Sequence, residues 1–141
     1  MTLPKTKELS GKQKIFCIIR KKWVSNTPEE WVRQNFISYL IHEKKYPRGL
    51  IKVETLIKIS GMSLRTDIIV YNKKFVSWML IECKKPEVTI SQKVLTQAGK
   101  YNMKLAAKFI VITNGEKFIC AEINSTTKKI VPHQTIPDWE D

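Results

Sequence analysis

Asp67, Glu82 and Lys84 are the residues of this chain whose types and spacing could do chemistry. Side chains alternate along a strand, so in Glu82-Cys83-Lys84 the glutamate and the lysine share a face while Cys83 takes the other. Asp67 lies in Arg65-Thr66-Asp67-Ile68-Ile69-Val70-Tyr71, a second segment of strand character. The turn Asn72-Lys73-Lys74 lets the two segments pair as a hairpin, which brings two carboxylates and an ammonium together. Oxygen ligands of this kind suit a hard divalent cation such as magnesium, which keeps several of its waters. A lysine beside it orients a water nucleophile or steadies charge developing on a phosphate. The chemistry implied is metal-dependent hydrolysis of a phosphodiester bond. Glu82 and Lys84 also follow the apolar run Val76 to Ile81, where charge requires a partner or a metal. A salt bridge at a strand end is the plain alternative.

Five further residues bear on this site. Thr27-Pro28-Glu29-Glu30 opens a helix, with Thr27 as N-cap, Pro28 at the first helical position and Glu30 closing a capping box. At 100° per residue Glu29 falls near Val32, Phe36 and Leu40, on the face turned to the sheet, while Glu30 points away from it. Glu29 is therefore the better candidate for a third acid, and Glu30 the second choice. Gln97 and Tyr101, four apart on a later helix, share a face beside its apolar stripe, where a glutamine needs a hydrogen-bond partner. Cys83 reads as a small core residue, not a nucleophile.

The elements that must position these residues follow in order. A helix from Pro28 to about Glu43 carries Val32, Phe36, Tyr39 and Leu40 at helical spacing and ends at Tyr46-Pro47-Arg48-Gly49. Strands are expected at 50–60, 65–71 and 75–83, with turns short enough for an antiparallel meander. A second helix, 89–107, opens on a possible Thr89/Gln92 capping box and carries Val94, Ala98, Tyr101 and Leu105. The continuously apolar run Phe109 to Thr113 suits the middle of a sheet, and Asn114-Gly115 signals a hairpin into a last strand, 117–123. The expected class is α/β, a central mixed sheet flanked by helices in the order α-β-β-β-α-β-β. The long crossover at 86–108 joins strands that lie parallel. The chain divides into a basic, partly flexible leader (1–26), a core (27–124) and a C-terminal extension (125–141) whose end packs loosely.

Composition narrows the class. Of the 141 residues, 43% are hydrophobic, which suits one globular domain and argues against disorder. No apolar run approaches a membrane span, and Ile15 to Ile19 is too short for a signal peptide. Cys17, Cys83 and Cys120 are widely spaced and form no zinc or disulfide pattern, which fits a reducing cytoplasm. The net charge of +12 favours a polyanionic partner, nucleic acid before membrane. Residues 1–22 contribute +6 of it, half of the excess, and the basic leader with surface lysines suits a nucleic-acid backbone.

Taken together, these segments resemble the PD-(D/E)XK nuclease superfamily, and more closely the N-terminal nuclease domain of type I restriction enzyme R subunits. The resemblance rests on Thr27-Pro28-Glu29-Glu30-Trp31-Val32-Arg33-Gln34, on 65–71, on Ile81-Glu82-Cys83-Lys84-Lys85-Pro86, on Gln97-Ala98-Gly99-Lys100-Tyr101-Asn102 and on Thr113-Asn114-Gly115. It implies a restriction-endonuclease-like core. It also implies that Asp67, Glu82 and the Cys83 backbone carbonyl bind Mg2+ or Mn2+, and that Lys84 positions or activates the attacking water. Gln97 and Tyr101 match the Gln-x-x-x-Tyr element of helicase-associated members. Thr66-Asp67 stands where the motif has Pro-Asp. The implied partners are DNA and a helicase motor or other restriction-system subunits. No motor fits in 141 residues and no Walker-type loop is present, so translocation by this chain alone is not expected. A free-standing nuclease, a subunit and a fragment all remain open. So do a non-catalytic DNA-binding or assembly module with a silent site, and cleavage of RNA or junctions.

Overall fold

The computed structural model describes residues 3–59 and 61–139, excepting the side chains of 57–59, 62, 64, 97 and 100–105. Its centre is a six-stranded mixed sheet in sequential strand order. The strands are β4 (Ile51–Ile59), β5 (Met62–Tyr71), β6 (Ser77–Cys83), β7 (Phe109–Thr113), β8 (Phe118–Ile123) and β9 (Ile130–His133). Neighbours are antiparallel except β6 and β7, which run parallel across the crossover that holds helix α2 (Gln92–Leu105). The expected meander, the parallel crossover and the buried position of Phe109–Thr113 are all present. All five residues of β7 are buried, as a strand covered on both faces demands.

Alternation sorts the core into two layers. Ile68, Val70, Met79, Ile81, Cys83, Phe109 and Val111 face helix α1 (Pro28–His42) and pack on its Val32, Ile37 and Leu40. On the opposite face, Ile110, Ile112 and Ala121 pack under Leu95, Val94 and Ala98 of α2. Each fully buried aliphatic chain here contributes about 2 kcal/mol. Helix α2 starts at Gln92, so Thr89 lies outside it and the expected capping box there is not formed. The turn before β6 is longer than Asn72-Lys73-Lys74. Asn72 Oδ1 accepts from the N–H of Lys74 and of Val76, and Phe75 is exposed at φ +60.

The leader departs most from expectation. It is a three-stranded antiparallel sheet of β1 (Thr6–Leu9), β2 (Lys12–Cys17) and β3 (Lys22–Ser25). Ser10 (φ +52) and Gly11 (φ +76) form the two-residue turn between β1 and β2, a connection whose left-handed pair matches strand twist. Ile15 and Cys17, both 0% exposed, sit where β2 packs against α1. Helix α1 is thus covered on two sides, by the large sheet and by this small one. The tail also differs: β9 extends the large sheet at its edge, and Ile136 is 2% exposed in the core. Tyr46 donates its hydroxyl hydrogen to the Pro137 carbonyl at 2.5 Å, and Trp139 Nε1 donates to the Tyr71 carbonyl at 3.1 Å. No helix among the described residues is long and apolar enough to cross a membrane.

Candidate functional site

After a register shift between Tyr71 and Val70, β5 and β6 stay in register from Val70 down to the pair Ile68–Ile81, and the ladder stops at Asp67. The next backbone donor of β6, the N–H of Cys83, goes to Asp67 Oδ2 at 2.8 Å. A side chain therefore replaces a ladder bond, and the carboxylate is fixed at the point where the strands part. Beyond it opens a cleft of about 700 Å³. Asp67, Glu82, Lys84, Glu29, Arg65 and Thr66 are among its lining residues. Lys84 Nζ lies 3.0 Å from Glu82 Oε1, both side chains being partly exposed. The Lys84 N–H donates to the Thr113 carbonyl at 2.8 Å, which holds the end of β6 to β7. Two carboxylates and an ammonium accordingly share one cleft.

Glu30 stands elsewhere. It is 8% exposed, paired with Arg20 of the β2–β3 loop and with Arg33 of its own helix. Thr27 caps the helix by accepting from the Glu30 N–H at 3.1 Å, while the Glu30 carboxylate serves other partners. Oε1 accepts from Arg20 at 2.9 Å and from Arg33 at 3.0 Å, and Oε2 accepts from Gln34 at 2.9 Å. Arg33 also reaches Asp67 Oδ1 at 3.2 Å and Glu54 Oε1 at 3.3 Å, and Arg20 reaches Glu54 Oε2 at 3.1 Å. Glu54 belongs to β4, between the paired positions Val53–Ile68 and Thr55–Thr66, and its backbone is left-handed at φ +47. A non-glycine residue adopts that conformation inside a strand only where its surroundings hold it, and two guanidinium groups do so here.

This network of Arg20, Glu30, Arg33 and Glu54 behind Asp67 is absent from the expectations drawn above. Sequence spacing carries little sign of it, because its members come from three separate segments. One signal was available: Arg33 and Gln34 on the same helix as Glu30, at the i+3 and i+4 positions that neighbour it. Cys17 joins the network through Arg20, whose backbone N–H and Nε both lie 3.3 Å from its Sγ. Burial pushes the Cys17 thiol up, but the hydrogen bonds and charge of Arg20 outweigh it and lower the net value. Cys83 behaves oppositely: burial, then the charge of Asp67, raises its pKa, so its thiol stays neutral between Glu82 and Lys84. Gln97 and Tyr101 fall on α2, and their side chains lie outside the described residues.

A metal ion fits part of this arrangement. The donors are all oxygen, as magnesium and manganese prefer, and Thr66 Oγ1 is buried without a hydrogen-bond partner. Among the described residues no cluster of three or more His, Cys, Asp and Glu side chains is poised to hold a metal. An ion at this cleft would thus draw on two carboxylates, a carbonyl and water. Each Asp67 oxygen already accepts one hydrogen bond, which leaves lone pairs free for a ligand bond.

No curated protein sequence matches the chain. A family model described as type I restriction enzyme R protein N terminus matches residues 28–137, from the first residue of α1 to beyond β9. Covering that much of the 141 residues, the match shows that the chain belongs to the type I restriction enzyme R protein N terminus family.

Proposed function

We propose that this chain is a nuclease domain of the PD-(D/E)XK type, acting in the cytoplasm on the phosphodiester bonds of DNA. The observation that supports it best is the convergence of Asp67, Glu82 and Lys84 on one cleft at the parted ends of β5 and β6. Asp67, Glu82 and the Cys83 carbonyl would hold Mg2+ or Mn2+. When bound, the ion supplies Lewis-acid polarisation of a phosphate oxygen. Lys84 orients the water or steadies the phosphate charge, and Glu82 beside it keeps its ammonium in place. Glu29 at the cleft wall is the nearer of the two helix glutamates for this work, while Glu30 acts through Arg33. Partners of the same reading are DNA and the motor or other subunits of a restriction system. Titration with manganese by calorimetry, comparing wild type with Asp67→Ala and Glu82→Ala, tests it. Binding lost in both variants is the expected result, and binding unchanged in both would sink the reading.

A second reading has its own observation. Asp67 is neutralised by Arg33 at 3.2 Å and Glu82 by Lys84 at 3.0 Å, so both acids are already paired with cations. That pairing favours a DNA-binding or assembly module whose site is silent until a partner or substrate disturbs it. DNA affinity indifferent to metal and to Glu82→Gln would select this reading.

A further inference from the structure

The N-terminal sheet sorts its charge by face. The register pairs Lys7 with Lys14 and Leu9 with Lys12, and the Phe16 N–H donates to the Lys5 carbonyl at 2.9 Å. By strand alternation, Lys5, Lys7 and Leu9 of this edge share a face with Lys12, Lys14 and Phe16 of β2, and with Trp23 and Ser25 of β3. The other face carries Ile15 and Cys17, buried on the side of α1. Glu8, the one acid of residues 3–25, is on that inner face, where it accepts from Gln13 at 3.5 Å. The outward face therefore presents four lysines and no acid. Its aromatic pair is engaged internally: Phe16 and Trp23 meet edge to face at 5.3 Å, and Lys7 Nζ stands 4.2 Å over the Trp23 ring.

We infer that this face is a docking surface for the phosphate backbone of double-stranded DNA. The inference rests on the DNA reading proposed above and names the surface that holds the duplex. Charge complementarity chooses the occupant, because four unopposed ammonium groups on a sheet suit a regular polyanion. The duplex is chosen over a single strand because stacking needs open aromatic faces, and Lys7 covers a face of Trp23. Sequence preference is not expected, since contacts of this kind go to phosphates. The sheet lies wholly before the residues that match the family, so its role is a property of this chain. Its β2–β3 loop carries Arg20, bonded to Glu30 and Glu54 at 2.9 and 3.1 Å, which ties the surface to the network behind Asp67.

The test measures duplex affinity against salt concentration with metal chelated, so that binding is read apart from cleavage. The full chain carrying Lys5→Gln, Lys7→Gln, Lys12→Gln and Lys14→Gln is compared with one carrying Lys52→Gln, Lys74→Gln, Lys128→Gln and Lys129→Gln. All four sheet positions face solvent in whole or part and the four control positions are exposed, so both variants should keep the fold, to be checked by circular dichroism. The sheet variant is expected to lose about 3 to 4 from the log–log salt slope and at least about tenfold in affinity near 0.1 M salt, with the control close to wild type. Equal slopes in the two variants overturn the docking surface while the DNA reading stands. A loss confined to single strands overturns the choice of duplex. If wild type binds no DNA form at all, the DNA reading fails together with this surface.

Discussion

Asp67 is gripped from two directions, by the Cys83 N–H on β6 and by Arg33 on α1. Arg33 is the pivot of that grip, because the same guanidinium meets Glu30 and Glu54. Removing it leaves a buried Glu30 with Arg20 and Gln34 only, and leaves Asp67 held by one bond. Arg33→Leu should therefore destabilise the fold by about 2 to 4 kcal/mol, read from urea denaturation midpoints. Arg33→Lys should recover little, since one ammonium cannot span three carboxylates as a planar fork does. A leucine variant as stable as wild type would show that the network does not constrain Asp67. At this scale the sequence disclosed the acids and the lysine, because strand alternation and adjacency suffice for Glu82 and Lys84. It did not disclose Arg33, Arg20 and Glu54, because their pairing depends on how α1, β4 and the β2–β3 loop converge. Glu30 shows the boundary well. Its place on the helix is readable, but its pairing with Arg20 from the β2–β3 loop is not.

At the scale of elements, the hairpin joining β7 to β8 explains a glycine that turn chemistry alone leaves underdetermined. Asn114 accepts from the N–H groups of Glu116 and Lys117 and donates Nδ2–H to the Val88 carbonyl at 2.9 Å, so it ties the hairpin to the segment before α2. Gly115 has φ +94, and a Cβ there would come within 3.2 Å of Trp31 and 3.3 Å of Val32 on α1. Gly115→Ala therefore meets both backbone strain and a packing contact, and a loss of about 1 to 3 kcal/mol is expected. Gly49→Ala is the control, because Gly49 has open space around it and no left-handed backbone. Thermal melts of the two variants that coincide would refute the account. Central elements of the large sheet were legible because long apolar runs and strong turns delimit them. β9 was not, since Pro132 and a largely exposed pattern disguise an edge strand. The β1–β2 hairpin was hidden too. Lysines fill one face of its strands, and the Ser10-Gly11 turn was its one local sign.

Across the whole molecule, the family-matched body and the segment before it share one interior. Ile15 and Cys17 are fully buried, Ile18 and Ile19 pack on the main core, and Arg20 closes the charged layer between them. The excess of positive charge at the start of the chain was legible, but not its sorting onto one face, which needs the register of three strands. If the small sheet is part of the same cooperative unit, damage to its buried face must be felt throughout. Ile15→Ala is expected to cost about 3 kcal/mol, within the range for a buried aliphatic truncated to alanine. Native-state hydrogen exchange then provides the decisive comparison. Amides of β2 and of β7 should lose protection by the same free energy in the variant, because each opens only when the whole molecule does. Loss confined to β2 would instead make the sheet an appendage that opens alone. Arg20 would then release Glu30 and Glu54 in that open state, and the rigidity behind Asp67 could not depend on it.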